Sequence, residues 1–116
     1  MPSLSLRIDF DPQGRLGPGK VTLLEKIAES GSISAGARAM NMSYKHAWDL
    51  IEEMNVLFGR PLVSTQTGGK DGGGACLTPM GQAVVTRFRA IEHAAAKAAR
   101  AQMEALQAEI SDHSPN

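Results

Sequence analysis

Residues 30–43 read SGSISAGARAMNMS, and residues 44–55 continue YKHAWDLIEEMN. Two helices joined by a tight corner account for this stretch. A serine hydroxyl satisfies an orphan amide of a first helical turn, so Ser32 caps the first helix. Ile33, Ala37 and Met40 then recur at helical spacing as one apolar stripe. Ala35, Gly36, Ala37 and Ala39 are small enough for a neighbouring helix to approach closely. Asn41 suits the left-handed conformation that ends a helix. Met42 plugs the corner, and Ser43 caps the second helix. There Ala47, Ile51, Met54 and Phe58 share one face, whereas Lys45, Asp49 and Glu52 lie opposite. Such a pair reads as a helix-turn-helix, whose second helix places its N-terminal residues in the major groove of DNA. The candidate DNA contacts are Ser43, Tyr44, Lys45 and His46, with Ser32 and Ser34 at the start of the first helix. Lys45 is the first candidate for base readout, because it faces out and can donate to a guanine edge. Tyr44 falls near the apolar face, a position for packing with its hydroxyl toward phosphate, and Trp48 is expected at the core edge. Spacing alone also fits a generic helical hairpin.

The segment after the second helix narrows the choice. Residues 62–78 read LVSTQTGGKDGGGACLT, with strand candidates at 62–66 and 75–77 around a glycine-rich tip. Gly68, Gly69, Gly72, Gly73 and Gly74 give that tip many conformations to lose on ordering, so it is expected to order on meeting a partner. A hairpin directly after a recognition helix is the wing of a winged helix. Lys70 sits at its tip, and the bare backbone at Gly69 and Gly72 can approach phosphates closely. A nucleotide-binding loop is excluded, since the Walker pattern needs Gly and Ser or Thr where Ser64 and Asp71 stand. A plain hairpin connector would also accept these glycines.

The flanks extend the architecture. Leu4, Leu6, Ile8 and Phe10 alternate with Ser5, Arg7 and Asp9, which predicts a half-buried strand able to join the wing as a third strand. Residues 11–19 read as a loop rich in Gly and Pro. Pro18 opens a helix with apolar Val21, Leu24 and Ala28, and Gly31 ends it. Thr78-Pro79 is a cap followed by proline at the first turn, the start of a long helix. Its stripe includes Val84, Phe88, Ile91, Ala95, Ala99, Met103, Leu106 and Ile110. A helix of about thirty residues outruns the core such a chain can build. The expected partner is the same helix of a second chain, with Val84, Phe88, Ile91, Ala95 and Ala99 in the seam. The predicted organisation is a winged helix-turn-helix over residues 1–79, a dimerisation helix over 80–110 continuous with it, and a disordered tail over 111–116. The fold class is mainly α, with a small β-hairpin wing and an N-terminal strand.

SGSIS, SYKHAWDLIEEMN, TGGKDGGGACLT and the closing TPMG resemble the N-terminal domain of ModE, the molybdate-responsive transcription regulators. LFGRPLV and LTPMG also resemble the wider LysR-type DNA-binding domains. The likeness covers residues 16–91. It implies a winged helix that binds operator DNA as a homodimer and regulates molybdate-uptake or molybdenum-enzyme genes. Molybdate binds in separate C-terminal domains in that family. This sequence ends at Asn116 without room for them, so no molybdate binding is expected of this chain alone.

Composition fits one small domain of 116 residues. Formal net charge is zero, from 12 Lys and Arg against 12 Asp and Glu. Within residues 32–79, Arg38, Lys45, Arg60 and Lys70 balance Asp49, Glu52, Glu53 and Asp71. No strong bulk field therefore steers this region to DNA, and any attraction has to come from a dipolar layout. Cys76 is the only cysteine, which excludes an internal disulfide, fits a reducing cytoplasm and predicts a packed structural thiol. His46, His93 and His113 lack metal-ligand spacing, so no metal or cofactor is expected. No apolar run approaches membrane-spanning length, and MPSLSLRIDF lacks a signal-peptide pattern. No nucleophile–base or carboxylate pair is spaced for catalysis, so an enzyme is not expected. The alternative to a DNA-binding homodimer is an interaction module that pairs with a full-length regulator without touching DNA itself.

Overall fold

Local chemistry sets the starts of the helices and the ends of the first three, in a computed structural model that describes residues 2–66 and 74–112. The element order is β1 (Ile8–Phe10), β2 (Gly14–Leu16), α1 (Pro18–Ser30), α2 (Ile33–Ala39), α3 (Tyr44–Phe58), β3 (Val63–Gln66), β4 (Gly74–Leu77) and α4 (Pro79–Asp112). Pro18 occupies the first turn of α1, where its missing N–H costs nothing. Gly31 closes α1 at φ 80°, and its amide donates to the Ile27 carbonyl. The Ser32 hydroxyl oxygen accepts from the Ala35 amide at 3.0 Å and caps α2. Asn41 turns the corner at φ 55°, and the Met42 amide donates to the Ala37 carbonyl at 3.0 Å. Ser43 repeats the cap on α3, accepting from the His46 amide at 3.0 Å.

Side chains from all three parts of the chain meet in one core. Leu23, Leu24 and Ile27 of α1, Ile33 and Ala37 of α2, and Ala47, Ile51 and Met54 of α3 are buried together with Leu62, Val84 and Phe88. Gly36 permits the α1–α2 approach, since a Cβ there would lie 2.7 Å from Ile27 Cγ1. Hydrogen bonds fix the base of the wing. Asn55 Oδ1 accepts from the Leu62 amide at 2.9 Å, the Thr78 hydroxyl donates to the Pro61 carbonyl at 2.8 Å, and the Ala75 amide donates to the Gly31 carbonyl at 2.7 Å. β3 and β4 are antiparallel, with Val63 opposite Leu77 and Gln66 opposite Gly74. Together these elements form a winged helix-turn-helix that is mainly α.

The structure corrects the sequence reading in several places. The N-terminal strand does not join the wing; it pairs with β2, Ile8 opposite Leu16, within the stretch expected to be loop. A turn of a few residues closes that hairpin locally, at less entropic cost than a pairing some fifty-five residues away. Gly14 carries φ 151° beside the turn, and Leu16 anchors the hairpin in the core at 3% exposure. Cys76 is exposed rather than packed, because strand alternation turns Ala75 and Leu77 inward and the thiol outward. Val84 and Phe88 lie in the chain's own core, so the exposed part of the α4 stripe begins at Ile91. The helix runs on through Ser111 and Asp112, and residues 113–116 fall outside those described.

α4 is 34 residues long, a rod of about 50 Å. Its first part packs through Val84 and Phe88, and Arg89 ties it to α1. The Arg89 guanidinium donates to both Glu25 carboxylate oxygens, at 2.7 and 3.2 Å, to Glu92 at 2.7 Å and to the Thr22 hydroxyl at 2.9 Å. The bonds to Glu25 and then Glu92 hold its pKa above the usual guanidinium range, against a smaller desolvation effect. Past this staple, Ile91, Leu106 and Ile110 are exposed.

Candidate nucleic-acid interface

The first turn of α3 is open to solvent. Ser43, Tyr44, Lys45 and His46 are all exposed, while Ala47 next to them is fully buried. The burial follows from helical periodicity, since Ala47, Ile51 and Met54 take the inward face and leave the preceding residues outside. Tyr44 is 53% exposed and does not pack into the core as its wheel position predicts. Its ring meets the half-buried Trp48 edge-on, with centroids 6.3 Å apart. Lys45 Nζ donates to Asp49 Oδ2 at 3.1 Å, one turn along, and its side chain keeps 85% exposure. The Ser43 oxygen is occupied by its cap, which leaves its hydroxyl proton for an external acceptor. On α2, Ser34 is exposed and Ser32 half-buried.

Charge is graded along α3. Beside its N-terminal end, the β1–β2 hairpin and the start of α1 form a groove of about 630 Å³ lined by Arg7, Arg15, Lys20 and His46, with Glu53 the one acid. Further along, a second groove of about 500 Å³ is lined by Asp49, Glu52 and Glu53, the exposed Val56, Arg15 and Lys20. The residue counting that gives a neutral helix-turn-helix misses the first groove. Its cations come from residues 7–20, outside the motif, and only the fold brings them beside His46.

The last described rung of the wing pairs Gln66 with Gly74. Gly69, Lys70 and Gly72, the remaining candidate contacts, lie outside the described residues. Ile91 is 43% exposed on α4, and Ala95 and Ala99 are half-buried. Among the described residues, no group of three or more His, Cys, Asp or Glu side chains could hold a metal ion. None of the described helices is long and apolar enough to cross a membrane.

Comparison with known proteins gives a consistent picture. Residues 19–82 match the bacterial regulatory helix-turn-helix proteins of the lysR family. The molybdenum-pterin-binding protein MopB of Rhodobacter capsulatus is 48% identical over 83 residues, 72% of this chain and 31% of MopB. The DNA-binding transcriptional dual regulator ModE of Escherichia coli K12 is 52% identical over 71 residues, 61% of this chain and 27% of that protein. The molybdenum transport protein ModE of Azotobacter vinelandii is 41% identical over 87 residues, 75% of this chain and 32% of that protein. The chain thus spans about a third of the length of these relatives.

Proposed function

The chain belongs to the lysR family of bacterial regulatory helix-turn-helix proteins, and on that premise we propose that it is a DNA-binding transcription regulator that acts as a homodimer on molybdenum-related genes. The observation that carries the DNA reading is the exposed first turn of α3. Four residues there present two hydroxyls, an ammonium and an imidazole to solvent from a rigid, capped helix start. Such a helix start fits the major groove, with side chains reaching base edges. Similarity to ModE and Mop proteins supports the molybdenum connection. Lys45 reads a base, Tyr44 and Ser43 donate to phosphates, and Lys70 with the glycine amides near it holds backbone phosphate at the wing. A two-fold dimer through α4 would set the two recognition helices about 34–36 Å apart, one turn of DNA, or a multiple of it.

The test begins with selection of duplexes from a random pool by the unmutated chain. Affinity for the selected duplex should exceed that for the random pool and fall steeply with salt, as counterions are released. Lys45→Ala should cost roughly 1–3 kcal/mol on the selected duplex and much less on the random pool. Equal losses on both would make Lys45 a phosphate contact. Failure to enrich any duplex would overturn the DNA reading and favour an interaction module.

A further inference from the structure

The groove between the β1–β2 hairpin and α3 lies next to the recognition residues, and three observations give it a common chemistry. Its cations are poorly neutralised. Arg15 makes no ion pair among the described residues, and Lys20 Nζ donates to a neutral acceptor, the Arg15 carbonyl, at 3.0 Å. Arg7 is the exception, paired to Asp9 at 2.8 Å. The second observation is the start of α1, which opens on the same groove through Gly17 and Gly19. No side chain caps it, and no acid stands in its first turn. Its free amides and the positive end of its dipole are therefore uncompensated. Third, the groove is continuous with His46 of α3.

We infer that this groove seats a DNA phosphate strand beside the major groove, with Arg15, Lys20 and the open N-terminus of α1 as the ligands. The inference rests on the DNA-binding reading of α3 and extends the interface to a flank outside the helix-turn-helix itself. The occupant is duplex backbone rather than a free anion because the groove is open, about 630 Å³, and runs into the recognition turn. A strand lying along it would meet Arg15 and Lys20 while Lys45 and His46 face the bases. Phosphate contacts of this kind fix register without reading sequence. They also supply the attraction that a formally neutral chain lacks in bulk. Glu53 lines this groove as well, and Arg15 and Lys20 also line the neighbouring groove with Asp49 and Glu52, so the net positive stretch of the path lies toward Arg7 and His46.

The measurement is fluorescence anisotropy of the full chain with the selected duplex and with the random pool, across a salt series. Arg15→Gln and Lys20→Gln should each weaken both duplexes about equally, by about 3–10-fold at low salt, and lower the salt slope by about one unit. Lys20→Arg should retain the slope. Lys97→Gln, an equal change of charge on the exposed face of α4, should leave both untouched. Thermal melting confirms that each variant is folded. If Arg15→Gln and Lys20→Gln behave like Lys97→Gln while the unmutated chain binds, the groove holds no phosphate and α3 acts without it. If the unmutated chain binds neither duplex, the DNA reading fails first and this inference falls with it.

Discussion

Lys45 and Asp49 face each other across one turn of α3, Nζ to Oδ2 at 3.1 Å, on the surface proposed to meet DNA. The pair is exposed and ordered lysine before acid, the weaker orientation on a helix, so its share of stability is at most about 0.5 kcal/mol. Its larger effect is on the ligand. The Asp49 carboxylate engages the one ammonium in the recognition turn and repels phosphate. Asp49→Asn should therefore bind every duplex about 2–5-fold more tightly at low salt, an advantage that fades as screening increases. Unfolding by urea should change little. An unchanged affinity would place Asp49 away from the DNA face.

Arg89 ties α4 to α1. It holds Glu25 by two bonds and adds Glu92 and Thr22. The cluster is about one-third exposed, so water softens it. Arg89→Met should cost about 1–2 kcal/mol in urea unfolding, the scale of charge-assisted bonds that are not deeply buried. The guanidinium's folded pKa is raised, so its contribution is complete below the unfolded value and is lost only above it. Arginine stays protonated through about pH 10, so the cost of R89M should be the same at pH 7 and pH 10. A cost that shrinks at pH 10 would assign the effect to another group.

Gly81 sits where α4 crosses the base of the wing. A Cβ there would collide with the Leu62 carbonyl oxygen and lie 3.3 Å from Leu77 Cβ. The obstacle is backbone, already bonded to the Thr78 amide at 3.0 Å, and cannot swing aside. Gly81→Ala should lose about 1–3 kcal/mol or more, despite alanine's better helix propensity. Gly19→Ala is the contrast, since nothing lies within 4 Å of its Cβ. It should cost no stability and gain up to about 1 kcal/mol. Comparable melting temperatures for the two variants would mean the wing base yields easily.

These positions show what a single chain reveals and where it stops. Ser32, Ser43 and Thr78 act through bonds to amides three residues on, and Asn41 through its own left-handed φ of 55°, so their roles are written locally and the structure matches them. The β1–β2 hairpin was not legible, because Gly14–Leu16 is too short for an alternating pattern and is flanked by loop-forming residues. The exposed face of Cys76 depends on strand phase, which is set by the packing of Ala75 and Leu77. The α4 stripe is periodic throughout, and periodicity cannot say that α1 already covers its Val84–Phe88 end. The Arg7, Arg15 and Lys20 groove is invisible for a similar reason: its members belong to no motif and meet His46 only through tertiary packing.

The exposed continuation of α4 carries the last prediction. Past Phe88, Ile91 is 43% exposed, and Leu106 and Ile110 are 66% and 64% exposed. A lone helix of this length with an apolar stripe gains little by ending in water, whereas burying such side chains recovers roughly 25 cal/mol per Å². A second copy offers the same stripe by symmetry, and the alanines at 95 and 99 permit close approach of the two helices. Ile91→Asp would place a charge in that seam without touching the protomer core, unlike changes at Val84 or Phe88. Sedimentation should show the unmutated chain as a dimer at micromolar concentration and I91D as a monomer of unchanged helix content. The variant should also lose most of its affinity for a two-half-site duplex while keeping its weaker affinity for a single half-site. A monomeric unmutated chain, or an I91D that still sediments as a dimer, would remove α4 from the interface.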